Sequence, residues 1–125
     1  MRLLLDTNAL LWALLTPEEL RPDAHAALAN RENEVFVSMA SIWEAAIKVG
    51  TGKLVLPPEF VPTITSSGFR LLAIEIAHAF RVSSLPRHHR DPFDRLLIAQ
   101  AMIEGLTLVT RDTMLPLYNV PILAA

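Results

Sequence analysis

Residues 3–8 read Leu-Leu-Leu-Asp-Thr-Asn, and residues 106–112 read Leu-Thr-Leu-Val-Thr-Arg-Asp. Each stretch contains a short, largely apolar run, typical of a buried strand, and an acidic residue just beyond it. Asp6 follows its run directly, and Asp112 follows with only Arg111 between. Between the two stretches, strand-like runs alternate with helical segments, which indicates a parallel sheet with helices on both faces. In such sheets the ligand crevice lies beyond the C-terminal ends of the strands. Asp6 and Asp112 are therefore expected at one crevice.

The apolar runs predict an α/β fold with a mainly parallel central sheet of four to five strands. The predicted strands are residues 3–5, 34–38, 69–74 and 106–110, with a short edge strand at 120–123 as the fifth. The predicted helices are residues 8–15, a segment starting at 22, and residues 40–49, 57–67, 76–83 and 92–104. Asp91 is the expected N-cap of the last helix, because proline follows it at the first helical position.

Composition sets limits on the class of protein. The chain of 125 residues fits one domain, residues 1–125. Its apolar content of 52% exceeds what a small monomer needs for its core, so a buried partner surface is expected. The absence of cysteine excludes disulfides and thiolate metal sites and favours a reducing, cytoplasmic location. A net charge of −2 argues against a general nucleic-acid coat protein, so any contact with nucleic acid must be local.

The N-terminus superficially imitates a signal peptide, since Met1-Arg2 precedes an apolar stretch. Asp6 and Asn8 interrupt that stretch, and no small-residue cleavage site follows it. The apolar run at 9–15 is far shorter than the ~20 residues that span a bilayer. We therefore expect a soluble protein that does not engage a membrane.

Two further acids lie on predicted helices. Glu44 precedes Lys48 by four residues, the spacing of a surface ion pair, yet its apolar neighbours leave only a narrow polar strip of Ser41, Glu44 and Lys48 that could line a cleft. Asp94 follows the Asp91 cap in the first helical turn, where any acid complements the helix dipole. Asp94 also shares a helical stripe with Leu97, Ile98, Ala101 and Met102, so its carboxylate is expected to point toward the interior end of the helix. A local explanation nevertheless exists for each acid taken alone.

The same holds for the acids at the strand ends, since Asp112 could cap a turn and Asp6 could form an Asx-turn. The joint placement of all four acids is harder to explain locally. At about 5 Å, each like-charged pair costs ~3 kcal/mol at an effective dielectric of about 20. A divalent cation would remove this repulsion, and an all-oxygen site suits Mg²⁺ or Mn²⁺.

Four ordered motifs carry a resemblance to a known family: Asp6-Thr7-Asn8, Ser41-Ile42-Trp43-Glu44, Asp91-Pro92-Phe93-Asp94-Arg95 and Thr110-Arg111-Asp112. Over essentially its whole length the chain resembles PIN-domain nucleases, specifically VapC-type toxins of bacterial toxin–antitoxin pairs. The resemblance implies a three-layer PIN-like fold and a Mg²⁺- or Mn²⁺-dependent endoribonuclease. It also implies inhibition by a cognate VapB-like antitoxin, and a homodimer.

By the same resemblance, Asp6 and Asp94 are the most secure metal ligands, and Glu44 and Asp112 complete an acidic quartet. Asn8 and Thr110 resemble the supporting polar residues of the family. The basic segment Arg87-His88-His89-Arg90 is by default interpreted as a solvated loop. At the rim of a metal site it could instead meet a phosphate backbone, and the candidate RNA contacts are Arg87, Arg90 and Arg95. The candidates for a partner surface are Leu11, Trp12, Leu14, Leu15, Trp43 and Ile47.

Three alternatives are open at this level. A receiver-like signalling module also has acids and Mg²⁺ at strand ends, but it needs a phosphoacceptor Asp after a central strand and a later Lys. Here the candidate central strand, residues 69–74, ends at Glu75, and no lysine follows Lys53. The other two are a PIN domain that only binds and a housekeeping RNA-processing nuclease.

Overall fold

The central feature is a five-stranded, entirely parallel sheet, seen in a computed structural model that describes residues 1–125. The strands are β1 (Arg2–Leu5), β2 (Glu34–Ser38), β3 (Arg70–Leu72), β4 (Thr107–Thr110) and β5 (Ile122–Ala124). Their order across the sheet is β3-β2-β1-β4-β5, and every neighbouring pair is parallel. The expected α/β class and parallel sheet are confirmed.

Six α-helices connect these strands: α1 (Thr7–Leu15), α2 (Pro22–Ala29), α3 (Met39–Gly50), α4 (Phe60–Ser66), α5 (Ile76–Arg81) and α6 (Pro92–Glu104). Short 3-10 turns lie at Pro17–Glu19, Val82–Ser84 and Leu115–Leu117. None of the helices combines the length and the apolar character that crossing a bilayer requires.

The helices cover both faces of the sheet, giving three layers and two separate cores. Alternate side chains of a strand point to opposite faces, so Leu3 and Leu5 pack in the core beneath α1, α2 and α4, whereas Leu4 packs in the core formed with α6. All three leucines have no exposed surface. The uninterrupted apolar run of β1 thus follows from burial on both faces, as is usual in parallel sheets.

Several boundaries differ from the sequence prediction, among them those of β3, α4 and β5. The third strand is only three residues long and lies at the sheet edge, where Leu71 remains half exposed, so residues 69–74 do not form a central strand. Helix α4 begins at Phe60 rather than at residue 57, because a residue that precedes proline is disfavoured in the helical region, as Pro57 is here. The last strand lies slightly later, at Ile122–Ala124.

The sheet order explains how distant acids meet. Strands β1 and β4 are neighbours, and the peptide N–H of Asp6 donates to the carbonyl oxygen of Val109 at 3.1 Å, just beyond the end of β1. The residues that follow β1 and β4 therefore emerge side by side. Helix α3 packs against both α1 and α6, which brings two helix faces to the same end of the sheet.

Candidate active site

Asp6 is the N-cap of α1 and is almost fully buried, with 6% of its surface exposed. Its Oδ1 accepts from the peptide N–H of Ala9 at 2.8 Å, and its Oδ2 accepts from the hydroxyl of Thr110 at 2.6 Å. Burial raises the pKa of Asp6 above its ordinary value, although both hydrogen bonds oppose the shift. The negative charges of Asp112 and Glu44 raise the pKa further, so the ionised form of Asp6 favours a nearby cation.

Glu44 projects from α3 with both oxygens engaged. Its Oε1 accepts from the hydroxyl of Thr7 at 2.6 Å, and its Oε2 lies 3.2 Å from Nζ of Lys48, so the ion pair expected from their spacing is present. Only 14% of the Glu44 side chain is exposed, so the pair lines a cavity rather than the open surface. Ser41, grouped with these two residues in the sequence, is instead buried, and its hydroxyl has no hydrogen-bond partner.

Asp94 lies in the first turn of α6, which Asp91 caps. Oδ1 of Asp91 accepts from the peptide N–H groups of Phe93 and Asp94, at 2.8 and 3.2 Å, so Asp91 has the capping role predicted for it. Burial, reinforced by the charges of Asp91 and Asp6, raises the pKa of Asp94 to about 7. Helix-dipole stabilisation alone would lower this pKa, so the neighbouring acids and burial dominate the environment of Asp94.

Asp112 follows β4 and is held from three sides. Its peptide N–H donates to the Thr110 hydroxyl at 3.0 Å, its Oδ1 accepts from the peptide N–H of Met114 at 2.8 Å, and its Oδ2 lies 2.8 Å from Nε2 of His89. Partial burial acts to raise the pKa of Asp112, but the hydrogen bonds from Met114 and His89 outweigh it and lower the pKa. Asp112 therefore both caps a turn and contributes a charged oxygen to the site.

The four acids line one open cavity of about 420 Å³ at the C-terminal end of the sheet. Asn8 and Lys48 line it as well, as does Arg111, whose guanidinium packs 4.0 Å from the ring centre of Trp12. Thr110 reaches the site through its hydrogen bonds to Asp6 and Asp112. The structure thus brings together the acids that the sequence scatters over more than 100 positions; their roles as ligands stay a prediction.

Two residues that hold the acidic side chains in place, Thr7 and His89, were not predicted from the sequence. Thr7 holds Glu44, and its position directly after Asp6 gives the only sequence signal for it. His89 contacts two of the acids, with Nε2 2.8 Å from Oδ2 of Asp112 and 3.1 Å from Oδ2 of Asp94. The sequence placed this histidine in a solvated loop, and nothing in the sequence separates it from its neighbour His88.

The basic segment forms a second cavity of about 670 Å³ that shares His89 with the first. Arg87 and Arg90 line this cavity, and both residues are exposed. Arg95 lines it too, but its guanidinium donates to the carbonyl oxygens of Pro86 at 2.8 Å and Val82 at 3.0 Å. Of the three candidate RNA contacts, Arg95 is therefore committed to holding the loop, and Arg87 and Arg90 are the ones free to meet a ligand.

Acid-lined cavities at the C-terminal ends of parallel strands occur in more than one class of protein, and the sequence comparison identifies the class of this one. The PIN domain family matches residues 3–121, so this chain is a member of the PIN-domain family, whose domains are nucleases. Among curated proteins, no sequence matches the chain significantly.

Solved structures share the fold over almost the full length. VapBC2 from Rickettsia felis, bound to a DNA fragment from their promoter, contains a chain with a TM-score of 0.73 and 19% identity, covering 98% of each chain. DNA-bound VapBC from Salmonella typhimurium contains a chain with a TM-score of 0.72 and 18% identity, and the match covers 98% of this chain and 97% of that one. FitAcB from Neisseria gonorrhoeae has a TM-score of 0.64 and 22% identity, and the match covers 98% of this chain and 96% of that one. The resemblance to VapC-type PIN domains is confirmed at the level of the fold.

Proposed function

We propose that this chain is a Mg²⁺- or Mn²⁺-dependent endoribonuclease that acts as the toxin of a VapBC-type toxin–antitoxin pair. The observation that carries the proposal is the convergence of Asp6, Glu44, Asp94 and Asp112 on one open cavity in a PIN domain. Two of these carboxylates have raised pKa values, which means that their surroundings disfavour negative charge unless a cation is near.

The donor set fits a hard divalent cation. It consists of carboxylate oxygens and contains no thiolate, which favours Mg²⁺ or Mn²⁺ over softer transition metals. Asp6 and Asp94 would hold the ion, with Glu44 and Asp112 completing the set. When bound, such an ion activates water for attack and offsets negative charge at the scissile phosphate.

The remaining roles fall to side chains already in position. Either Glu44 or Asp112 takes the proton of the attacking water, since both carboxylates face the cavity. Thr110 orients Asp6 through a 2.6 Å hydrogen bond, and Asn8 lines the same cavity. The exposed guanidinium groups of Arg87 and Arg90 meet the RNA backbone at the rim.

The primary test replaces single acids without changing their shape. Asp6→Asn and Asp94→Asn should keep the fold and lose Mg²⁺-dependent RNA cleavage by about 100-fold or more, because each removes a charged ligand. Asp23→Asn, which removes an exposed acid in the first turn of α2, is the matched control and should cleave normally. Cleavage is measured on labelled RNA with Mg²⁺, with Mn²⁺ and with EDTA. Full activity in both site variants would end the proposal.

The RNA contact is tested through its salt dependence. Each phosphate neutralised on a single strand contributes a slope of about −0.7 to log K against log salt. Replacing both Arg87 and Arg90 by Gln in the Asp94→Asn background should therefore flatten the slope for RNA binding by about 1.4. A slope that does not change would place the RNA elsewhere.

The proposed antitoxin and homodimer need exposed apolar surface, and the structure has it. On α3, Trp43 and Ile47 are 59% and 41% exposed, and on α5, Ile76 and Phe80 are 79% and 75% exposed. Of the other partner-surface candidates, Leu15 is exposed, whereas Leu11, Trp12 and Leu14 are partly buried against the core. Size-exclusion chromatography with light scattering should show a dimer, and a clean monomer at high concentration would contradict this part of the proposal.

Two other functions are separated by simple observations. A housekeeping RNA-processing nuclease would share the chemistry, but its expression would not arrest growth, and no antitoxin-like reading frame would lie beside its gene. A domain that only binds, including a receiver-like signalling module, would show no Mg²⁺-dependent cleavage. The complete set of four acids at the cavity favours turnover over both kinds of binding module.

A further inference from the structure

The imidazole of His89 has a different partner at each ring nitrogen. Nδ1 lies 3.0 Å from the peptide nitrogen of Asp91, which is an N–H donor. Nε2 faces the carboxylate oxygens of Asp112 and Asp94, which are acceptors when ionised. The ring is therefore placed between a donor on one side and acceptors on the other.

This arrangement fixes the tautomer. Because the N–H of Asp91 can only donate, Nδ1 must carry a lone pair, and the ring proton must be on Nε2. His89 thus presents an Nε2–H group to Asp112 at 2.8 Å. The lone pair that a metal ion would need is on Nδ1, which faces the start of α6.

The loop that carries His89 is itself held in place. The peptide N–H of His89 donates to the hydroxyl of Tyr118 at 2.9 Å, and that hydroxyl donates to the carbonyl oxygen of Pro86 at 2.9 Å. Arg95 binds the same carbonyl of Pro86 at 2.8 Å. Tyr118 is buried, with 4% of its surface exposed, so its two hydrogen bonds to the loop are made away from the open surface.

We propose that His89 is a positioning residue that holds the carboxylate of Asp112 beside Asp94 by donating its Nε2–H, and that it is not itself a ligand of the ion. The inference rests on the proposed function, in which these two acids hold a divalent cation. Asp112 follows β4 and Asp94 lies in the first turn of α6, so no backbone pairing fixes their separation, and the ring of His89 supplies that link. Such outer hydrogen bonds orient ligands, and losing one typically costs about 10- to 100-fold in metal affinity.

The tautomer is tested on the metal-free protein, so this measurement does not depend on the proposed function. Two-bond ¹H–¹⁵N correlation spectra at neutral pH should show His89 as the Nε2–H tautomer, with His88→Gln used to assign the neighbouring signal. His88 is exposed and its ring packs edge-on against Tyr118, away from the acids. A ring with its proton on Nδ1, or one averaged between both tautomers, would overturn the proposal.

The positioning role is tested by calorimetric titration with Mn²⁺. His89→Ala should weaken binding by about 10- to 100-fold, and His89→Gln, whose amide nitrogen can take the place of Nε2 as a donor, should stay within about 3-fold of wild type. His88→Gln is the control and should bind as wild type does. Pulsed electron paramagnetic resonance of the Mn²⁺ form should show no directly coordinated nitrogen.

Three other outcomes would contradict the positioning role of His89 or the proposed function. Equal loss in the Ala and Gln variants, or nitrogen coupling to Mn²⁺, would make His89 a ligand. Tighter binding by His89→Ala would make it an obstacle that the ion must displace. If wild-type protein binds no Mn²⁺ at all, the proposed function fails, and the spectra of the metal-free protein alone then decide whether His89 orients the two acids.

Discussion

Replacing Asp94 by Asn is expected to stabilise the metal-free protein, although Asp94 is a proposed catalytic ligand. The pKa of Asp94 is about 7 in the folded protein, against an ordinary value of 3.8. At about 1.4 kcal/mol per pKa unit, keeping this carboxylate ionised above pH 7 costs up to ~4 kcal/mol. Burial is the largest cause of this cost, and the negative charges of Asp91 and Asp6 add to it.

Water in the open cavity screens part of this cost, so we expect a measured gain of about 1 to 3 kcal/mol at pH 8. For a chain of this size that corresponds to a rise in Tm of roughly 3 to 10 °C. The assay is thermal unfolding followed by circular dichroism in EDTA, from pH 4 to pH 8. Asp23→Asn, at an exposed position on α2, should change stability by less than about 1 kcal/mol.

The pH dependence follows from the direction of the shift. Between about pH 4 and pH 7 the folded wild-type protein binds more protons at Asp94 than the unfolded chain, so its stability falls as pH rises through this range. The Asn variant should lose this contribution to the slope. Added Mg²⁺ should raise the Tm of wild type by mass action and leave the variant nearly unchanged. A variant that is less stable than wild type at pH 8 in EDTA, or that keeps the full slope, would refute the reasoning.

Three further outcomes are expected. Thr110→Val should lower the free energy of unfolding in urea by about 1 to 3 kcal/mol, because it leaves the buried carboxylate of Asp6 without its 2.6 Å hydrogen bond, and Thr110→Ser should restore most of the loss. Tyr118→Phe should speed amide hydrogen exchange at His89, whose peptide N–H donates to the tyrosine hydroxyl; unchanged exchange would show that the loop is held by other contacts. Gly105→Ala should cost about 1 kcal/mol, since φ at this helix C-cap is +66°, whereas Gly105→Asn should cost less.

Much of the fold could be predicted from local signals. The start of α6 was predicted from Asp91 and Pro92, and the observed cap hydrogen bonds are the ones those residue types make. The strand at residues 34–38 was predicted to the residue. These predictions succeeded because capping, proline geometry and hydrophobic periodicity act over a few neighbouring residues.

The structure adds to the sequence prediction, or differs from it, where packing between distant segments decides. Residues 69–74 carry enough apolar side chains for a longer strand, but at the sheet edge only three of them pair, since only one neighbouring strand is available. Ser41 has the helical spacing of a cleft residue, yet the way α3 packs on its neighbours buries it. The guanidinium of Arg95, whose RNA contact stays a prediction, is hydrogen-bonded to the carbonyl oxygen of Val82, 13 residues earlier in the chain.

The sequence alone determined which groups are proposed to carry the chemistry. The acids, the threonine that ends β4 and the strand-helix alternation are local properties of the chain, and in parallel sheets the C-terminal ends of the strands face one crevice. Only the tertiary structure decided that β1 lies beside β4, that Thr7 holds Glu44, and that His89 rather than His88 contacts Asp94 and Asp112. The physical reason is that these contacts depend on the packing of segments far apart in the chain, which no local preference encodes.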